Sequence, residues 1–229
     1  MSAFKRLIVA LCLTGAASVA MAVDTNLCFN GSFNSPKGAL DGWNVNYEWM
    51  KNSHFMANHT WVSVLPSYQG RNNVMQMSPP EQGRLESKLF AVEKGARYKC
   101  TLDLNAPDVR FYFKGYKWEP GIAPHDDPQL SEMREVYRSE NFTGGSGGGW
   151  KTISFEMPME EISETAYDHY KYVRYATVYM TRYRGGFHVA NVRVEKLPGT
   201  YRVGKAPAPT AGPKTMPKLV TPQNVRQPH

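Results

Sequence analysis

The chain has 229 residues, 41% of them apolar and 21% charged, which is enough for one domain and an appendage. Its formal charge of +7 is not spread evenly. Lys5 and Arg6 stand in the first segment, and Arg202, Lys205, Lys214, Lys218 and Arg226 stand in residues 199–229 with no acid beside them. Residues 23–198 therefore balance, and the body of the protein offers no electrostatic reason to expect nucleic acid as its ligand.

Residues 1–22 read as a signal peptide. Lys5 and Arg6 give a positive start, Leu7 to Ala17 is a short apolar run, and Ala20-Met21-Ala22 fits a small-x-small cleavage site. The run is too short to span a bilayer, and no other long apolar run follows, so no transmembrane segment is expected. The expected address is periplasmic or extracellular. Asn30, Asn58 and Asn141 each open an N-x-Ser/Thr sequon, which matters only in a host that glycosylates.

From residue 23 the dominant period is two. Trp43, Val45, Tyr47 and Trp49 alternate with polar residues, and strands are plausible at 60–65, 73–77 and 85–92. Tyr98 to Leu104, Val109 to Phe113 and Ile153 to Met157 alternate in the same way. A long strand follows from Val173 to Tyr183, with Ala176, Val178 and Met180 on one face, and His188 to Val194 closes the series. Pro66, Gly70, Pro79-Pro80, Gly95, Pro107 and Gly185-Gly186 separate these runs. Many short strands, each with one apolar face, predict an all-β, two-sheet β-sandwich. Residues 115–149 interrupt the pattern. Asp127 before Pro128, with Leu130, Met133, Val136 and Tyr137 on one helical face, predicts one short helix over 128–138 inside this long loop. The Pro-rich, basic segment 199–229 predicts a disordered tail; a cationic tether to an anionic envelope surface is the alternative.

Cys28 and Cys100 follow the signal segment. Export permits a bridge between them. Alternation puts Cys28 on the face opposite Leu27 and Phe29 and Cys100 on the face of Tyr98, Leu102 and Leu104, which points the pair into different layers, and the bridge stays open on sequence alone.

The order of short signals carries a resemblance. "NLCFNGSF" is followed by Gly42-Trp43, then "QGRNNVMQM", "LESKLFAVEKGARYKCTLDL", "GGWKTISFEMP" and "FHVANVRVEKL". This resembles the galactose-binding-like jelly roll, in particular the carbohydrate-binding modules attached to cellulases and xylanases, in order over residues 27–197. The resemblance implies a jelly-roll domain over 23–198 and a glycan or polysaccharide as partner. Members often hold a structural calcium through an acidic residue after the first Phe and another in the last strand. Asn34 and Ala190 stand in those places here, so no metal is expected, and no other cofactor. Phe33, Trp43, Tyr98 and Trp150 are expected to be core anchors.

Sugar binding needs flat aromatic rings beside planar polar groups. The candidates are Tyr47 and Trp49, then Trp61, Tyr68 and Gln69, then Tyr116 and Trp118 at the opening of the long loop, the last two expected to be exposed or to act as a lid. Tyr175, Tyr179 and Tyr183 are expected to be a packed ladder. Catalytic alternatives are thinner. The glycine run around Ser146 matches the hydrolase elbow formally but lacks its strand, helix and partner groups. Glu160, Glu161 and Glu164 fall in a polar loop, and His169 or Tyr170 would be the base of a lyase. The leading expectation is an exported, non-catalytic glycan-binding sandwich. A jelly-roll polysaccharide lyase or glycoside hydrolase is the second, and a structural envelope protein that binds another protein is the third.

Overall fold

In a computed structural model of the protein, residues 25–44, 62–78 and 84–204 are described. The strands in chain order are β1 (Trp43–Asn44), β2 (Val62–Tyr68), β3 (Arg71–Met77), β4 (Arg84–Ser87), β5 (Phe90–Ala91), β6 (Arg97–Asn105) and β7 (Asp108–Trp118). Then come β8 (Met133–Arg138), β9 (Phe142–Gly144), β10 (Lys151–Met157) and β11 (Glu161–Ser163). The helix α1 (Glu164–Tyr170) precedes β12 (Tyr175–Arg184), β13 (Phe187–Leu197) and β14 (Arg202–Gly204). A seven-stranded sheet runs β1-β4-β12-β7-β8, with β5 also on β12 and β9 also on β7. A five-stranded sheet runs β10-β6-β13-β3-β2. The pairing inside both is antiparallel. The protein is an all-β, two-sheet jelly-roll sandwich.

The period-two runs put one face of each sheet into a shared core. Burial alternates without a break along β6, where Tyr98, Cys100, Leu102 and Leu104 point inward. Opposite them stand Phe111 and Phe113 of β7 and Ala176, Val178 and Met180 of β12. Burying one such ring stabilises the fold by about 1.5–3 kcal/mol. In β13 the alternation slips between Ala190 and Arg193, where a bulge sits beside Asn191 in left-handed conformation. The slip returns Val192 and Val194 to the core.

The Asn30-Gly31 segment locks onto that bulge. Gly31 O accepts Val192 N–H at 2.9 Å, and a Cβ on Gly31 would lie 1.9 Å from Val192 O. Asn30, at φ 50°, donates through Nδ2 to Ala39 O and Asp41 O and accepts through Oδ1 from the amides of Asn34 and Ser35. Its own carbonyl receives Trp43 Nε1–H at 3.0 Å. Phe33 packs on Trp43 with ring centroids 5.1 Å apart. The opening motif is thus a structural clasp, and Phe33, Trp43 and Tyr98 are core residues as expected, whereas Trp150 is only partly buried and stands outside that core against Tyr68.

Three expectations need correction. Residues 128–138 are not a helix: a short 3-10 turn spans Leu130–Glu132, and Met133–Arg138 is β8, paired with β7. The three-and-four spacing of Met133, Val136 and Tyr137 comes from a register shift at Gly115/Tyr116, which adds a residue to β8 and mixes its faces. The helix is instead α1, started by Ser163, whose Oγ accepts Ala166 N–H at 3.2 Å. It is held by Tyr170, which packs edge-on against Tyr137 and Tyr201. Lastly, Cys28 does not point away from Cys100. Leu27 and Phe29 are exposed and both thiols are free and lie in the one core. Burial pushes the Cys28 thiol up to about 12, against a hydrogen bond with Ser87, and raises Cys100 as well. Beyond residue 198, β14 pairs in parallel with β11, so the ordered body reaches at least Gly204.

Candidate functional site

The outer face of the seven-stranded sheet is neither apolar core nor ordinary charged surface. Glu86 of β4 stands there only 1% exposed. Tyr116 Oη and Thr177 Oγ1 both donate to its Oε1, the latter at 2.7 Å, and Lys114 Nζ lies 3.4 Å from its Oε2. Lys114 Nζ also sits 4.2 Å from the centroid of the Tyr179 ring, and Tyr179 packs on Tyr112 at 4.8 Å. The guanidinium of Arg110 lies 4.9 Å over Tyr112. Cross-strand register brings these groups together: Glu86 is opposite Tyr179, Tyr179 opposite Tyr112, and Thr177 opposite Lys114. Burial, then the Glu86 charge, raises the Tyr116 hydroxyl far above its ordinary value, so it acts as a donor and not as a base. Isolating a carboxylate from water is costly unless it is paired and hydrogen-bonded. Glu86 meets both conditions.

At the β1–β4 end this face meets an open cleft of about 430 Å³. Asp41, Asn44, Lys88, Asp127 and Gln129 supply its polar lining, with Leu89, Pro128 and Leu130 as apolar wall. The far wall belongs to the loop after β7. Glu119 N–H to Glu132 O, at 2.9 Å, closes that loop at its root, and Lys88 to Asp127, at 3.4 Å, ties it to the stretch after β4. Glu132 accepts from Gln129 N–H and bonds His125 Nε2 at 3.1 Å; those two contacts lower its pKa. Trp118, partly exposed, stands at the loop root with its ring 4.9 Å from His125 and edge-on to Tyr175 at 5.8 Å. Asn44 lies directly opposite Glu86, so the cleft and the buried carboxylate share one edge of the sheet.

The expected site residues do not form one group. Tyr116 and Trp118 are on the seven-stranded sheet, and Tyr116 is 5% exposed, a fixed partner of Glu86 and not the exposed or lid residue expected. Tyr68 and Gln69 belong to the β2–β3 hairpin on the other sheet. There Tyr68 stacks on His188 at 3.9 Å and 7°, Trp150 meets Tyr68 edge-on at 6.2 Å, and Asn105 donates to Gln69 at 2.8 Å. Asp103 gathers Arg71, Thr152 and Asn191 beneath them. Tyr47, Trp49 and Trp61 lie outside the described residues. Glu86, Lys114, Thr177 and Asn44 escaped sequence reasoning. "LESK" alternates like any half-exposed strand, and only the pairing of three strands reveals that Glu86 is enclosed.

The groups raised for catalysis have other partners. Ser146 binds the backbone of Ala106 through its hydroxyl and its amide. Tyr170 is a core residue whose hydroxyl donates to Ala96 O at 3.1 Å. Glu160, Glu161, Glu164 and His169 are exposed. Among the described residues no three His, Cys, Asp or Glu side chains are grouped to hold a metal ion, and no helix is long and apolar enough to cross a membrane. Ala190 is fully buried and Asn34 exposed.

No family profile and no curated protein matches the sequence. Solved structures that resemble the fold are mostly carbohydrate-binding modules. TmCBM61, solved with β-1,4-galactotriose, is 13% identical with a TM-score of 0.41, over 75% of this chain and 99% of that one. The CBM22-1 xylan-binding domain of Paenibacillus barcinonensis Xyn10C is 10% identical with a TM-score of 0.41, over 72% and 91%. The enzymatically active domain of tailspike protein 4 of bacteriophage CBA120 is 12% identical with a TM-score of 0.45, over 76% of this chain and 22% of the phage chain.

Proposed function

We propose that this is an exported, non-catalytic protein that binds a glycan on the outer face of the seven-stranded sheet. The observation that carries the proposal is the cleft of about 430 Å³ beside Glu86, where carboxylate, carboxamide and ammonium groups line an open trough. Hydroxyl groups of a saccharide pair well with such planar acceptors and donors, and Trp118, partly exposed, stands at the root of the loop that forms the far wall. Glu86, held by Tyr116, Thr177 and Lys114, fixes the neighbouring sheet face, and it lies directly opposite Asn44 of the trough's lining. Tyr47 and Trp49 follow β1 directly in the chain and are the nearest further rings in sequence. Export rests on the signal-like start, and residues 205–229 supply a basic tether to an anionic envelope surface.

A glycan array probed with the full chain tests this. Retention of a defined oligosaccharide, with affinity reduced at least tenfold in Asn44→Ala, Lys88→Ala or Trp49→Ala and unchanged circular dichroism, is the expected result. No glycan retained, or variants that bind like the parent, contradicts it. Release of shortened products from the bound polysaccharide would move the protein to the lyase or hydrolase alternative. Cell fractionation with a chain cut after Gly204 tests the tether, and unchanged localisation removes it.

A further inference from the structure

Lys117 of β7 and Arg134 of β8 are direct partners across the strand pair. Like charges set opposite each other destabilise a sheet. The same ladder holds a second doubly cationic pair, Lys114 with Arg138, and there the protein supplies its own anion: Glu135 forms ion pairs with both. Lys117 and Arg134 have no carboxylate partner among the described residues. They line a groove of about 600 Å³ between β8 and the end of α1. The other carboxylate facing the groove, Asp168, is bound by Lys171 at 2.8 Å. Tyr172 stands in it 49% exposed, with the ammonium groups of Lys117 and Lys171 5.4 and 5.3 Å from its ring centroid.

We propose that this groove is a second saccharide site, selective for an acidic sugar unit. The anionic group of the sugar lies between Lys117 and Arg134 and supplies the charge that Glu135 supplies to the neighbouring pair. The apolar face of the ring rests on Tyr172. A planar phenol flanked by cations suits a ring that carries a carboxylate or sulfate. The groove lies along β8, at the end of the strand order opposite β1, and it shares no lining residue with the cleft at the β1–β4 end. The proposal rests on the reading of the protein as a glycan binder, and it adds a substrate class and a second location.

Calorimetric titration of the full chain tests it, with trigalacturonate, a sulfated carrageenan tetrasaccharide that carries no carboxylate, and neutral cello-, xylo- and galacto-oligosaccharides as probes. The double variant Lys117→Gln/Arg134→Gln is expected to lose at least tenfold in affinity for the acidic probe that binds, and to keep its affinity for the neutral one. The two acidic arms tell carboxylate from sulfate. Without ligand, the same variant is expected to melt about 1–3 °C higher, since the repulsion is gone. Equal affinity of parent and double variant for the acidic probes overturns the proposal, as does a parent that binds a neutral probe and neither acidic one; the cleft beside Glu86 then still stands. Failure of every probe overturns both.

Discussion

Glu86 combines 1% exposure with three hydrogen-bonding or ionic partners drawn from two other strands. Removing one partner of a buried charged group is costly because the rest stay dehydrated. Glu86→Ala is expected to cost about 3 kcal/mol, a fall in Tm of roughly 6–12 °C for a domain of this size. Glu86→Gln keeps an acceptor for Tyr116 and Thr177 and is expected to cost less than half as much. Thermal melts of the two variants check this, and equal, small shifts would show that the carboxylate is not the organising group. Asn30 is the second residue whose side chain replaces several backbone contacts. Asn30→Ala removes four hydrogen bonds and is expected to cost about 2–4 kcal/mol. Gly31→Ala is expected to be worse, because its Cβ would overlap a strand carbonyl that has no room to move. Cys28 and Cys100 are buried and their thiols raised, so in the chain without residues 1–22, which carry Cys12, a thiolate-directed reagent at about pH 8 is expected to leave the folded protein unmodified and to find two thiols after unfolding without reductant. Reaction in the folded state, or no thiols after unfolding, contradicts that picture.

Among the elements, the β2–β3 hairpin shows how a few polar contacts hold a loop on a sheet. Its tip is fastened by the Tyr68–His188 stack and by Arg71 on Asp103 at 2.9 Å. Burial, partly offset by a hydrogen bond with the Asn105 backbone, lowers the His188 pKa. The unfolded chain therefore takes up the proton first, and stability is lost as pH falls from the ordinary histidine value, ~6.5, through the lowered folded one. Burial would raise the Asp103 carboxyl, but hydrogen bonds from Thr152, Asn191 and Arg71, with the Arg71 charge, lower it. Its contribution is present above the ordinary carboxylate range and lost as pH falls through the lowered value. A Tm profile from about pH 8 to pH 3 is expected to fall in two stages, the first flattened in His188→Gln and the second in Asp103→Asn. An unchanged profile in His188→Gln would mean that the imidazole titrates freely. The loop carrying β8 teaches a different lesson. Met133, Val136 and Tyr137 have helical spacing in sequence, yet an open strand edge at β7 supplied backbone partners that no local propensity can match. The signals for α1 were present, with Ser163 before Glu164 and Ala166, Tyr167 and Tyr170 on one face. At seven residues the helix is too short for periodicity to stand out from its polar surroundings.

For the whole molecule, the sandwich was legible because each long strand keeps one apolar face. Tyr98 to Leu104, Phe111 with Phe113, Ile153 to Met157 and Ala176 to Met180 all sit where alternation put them. The site was legible only in part. Aromatic content marks rings, but Tyr68 and Tyr116 are separated by strand order, one on β2 and one on β7, and order is set by long-range pairing. Charge is similar. Composition makes the body neutral, whereas register concentrates Lys114, Lys117, Arg134 and Arg138 along one edge and encloses Glu86 beside them. A neutral average thus conceals a strongly patterned surface.

The central claim is that the outer face of the seven-stranded sheet receives a saccharide. Amide chemical-shift mapping during titration with the oligosaccharide retained on the array tests it most directly. Shifts are expected to concentrate at Asp41 to Asn44, Glu86 to Lys88, Trp118 and Asp127 to Leu130. Shifts confined to Tyr68, Asp103, Trp150 and His188 on the opposite sheet would contradict it.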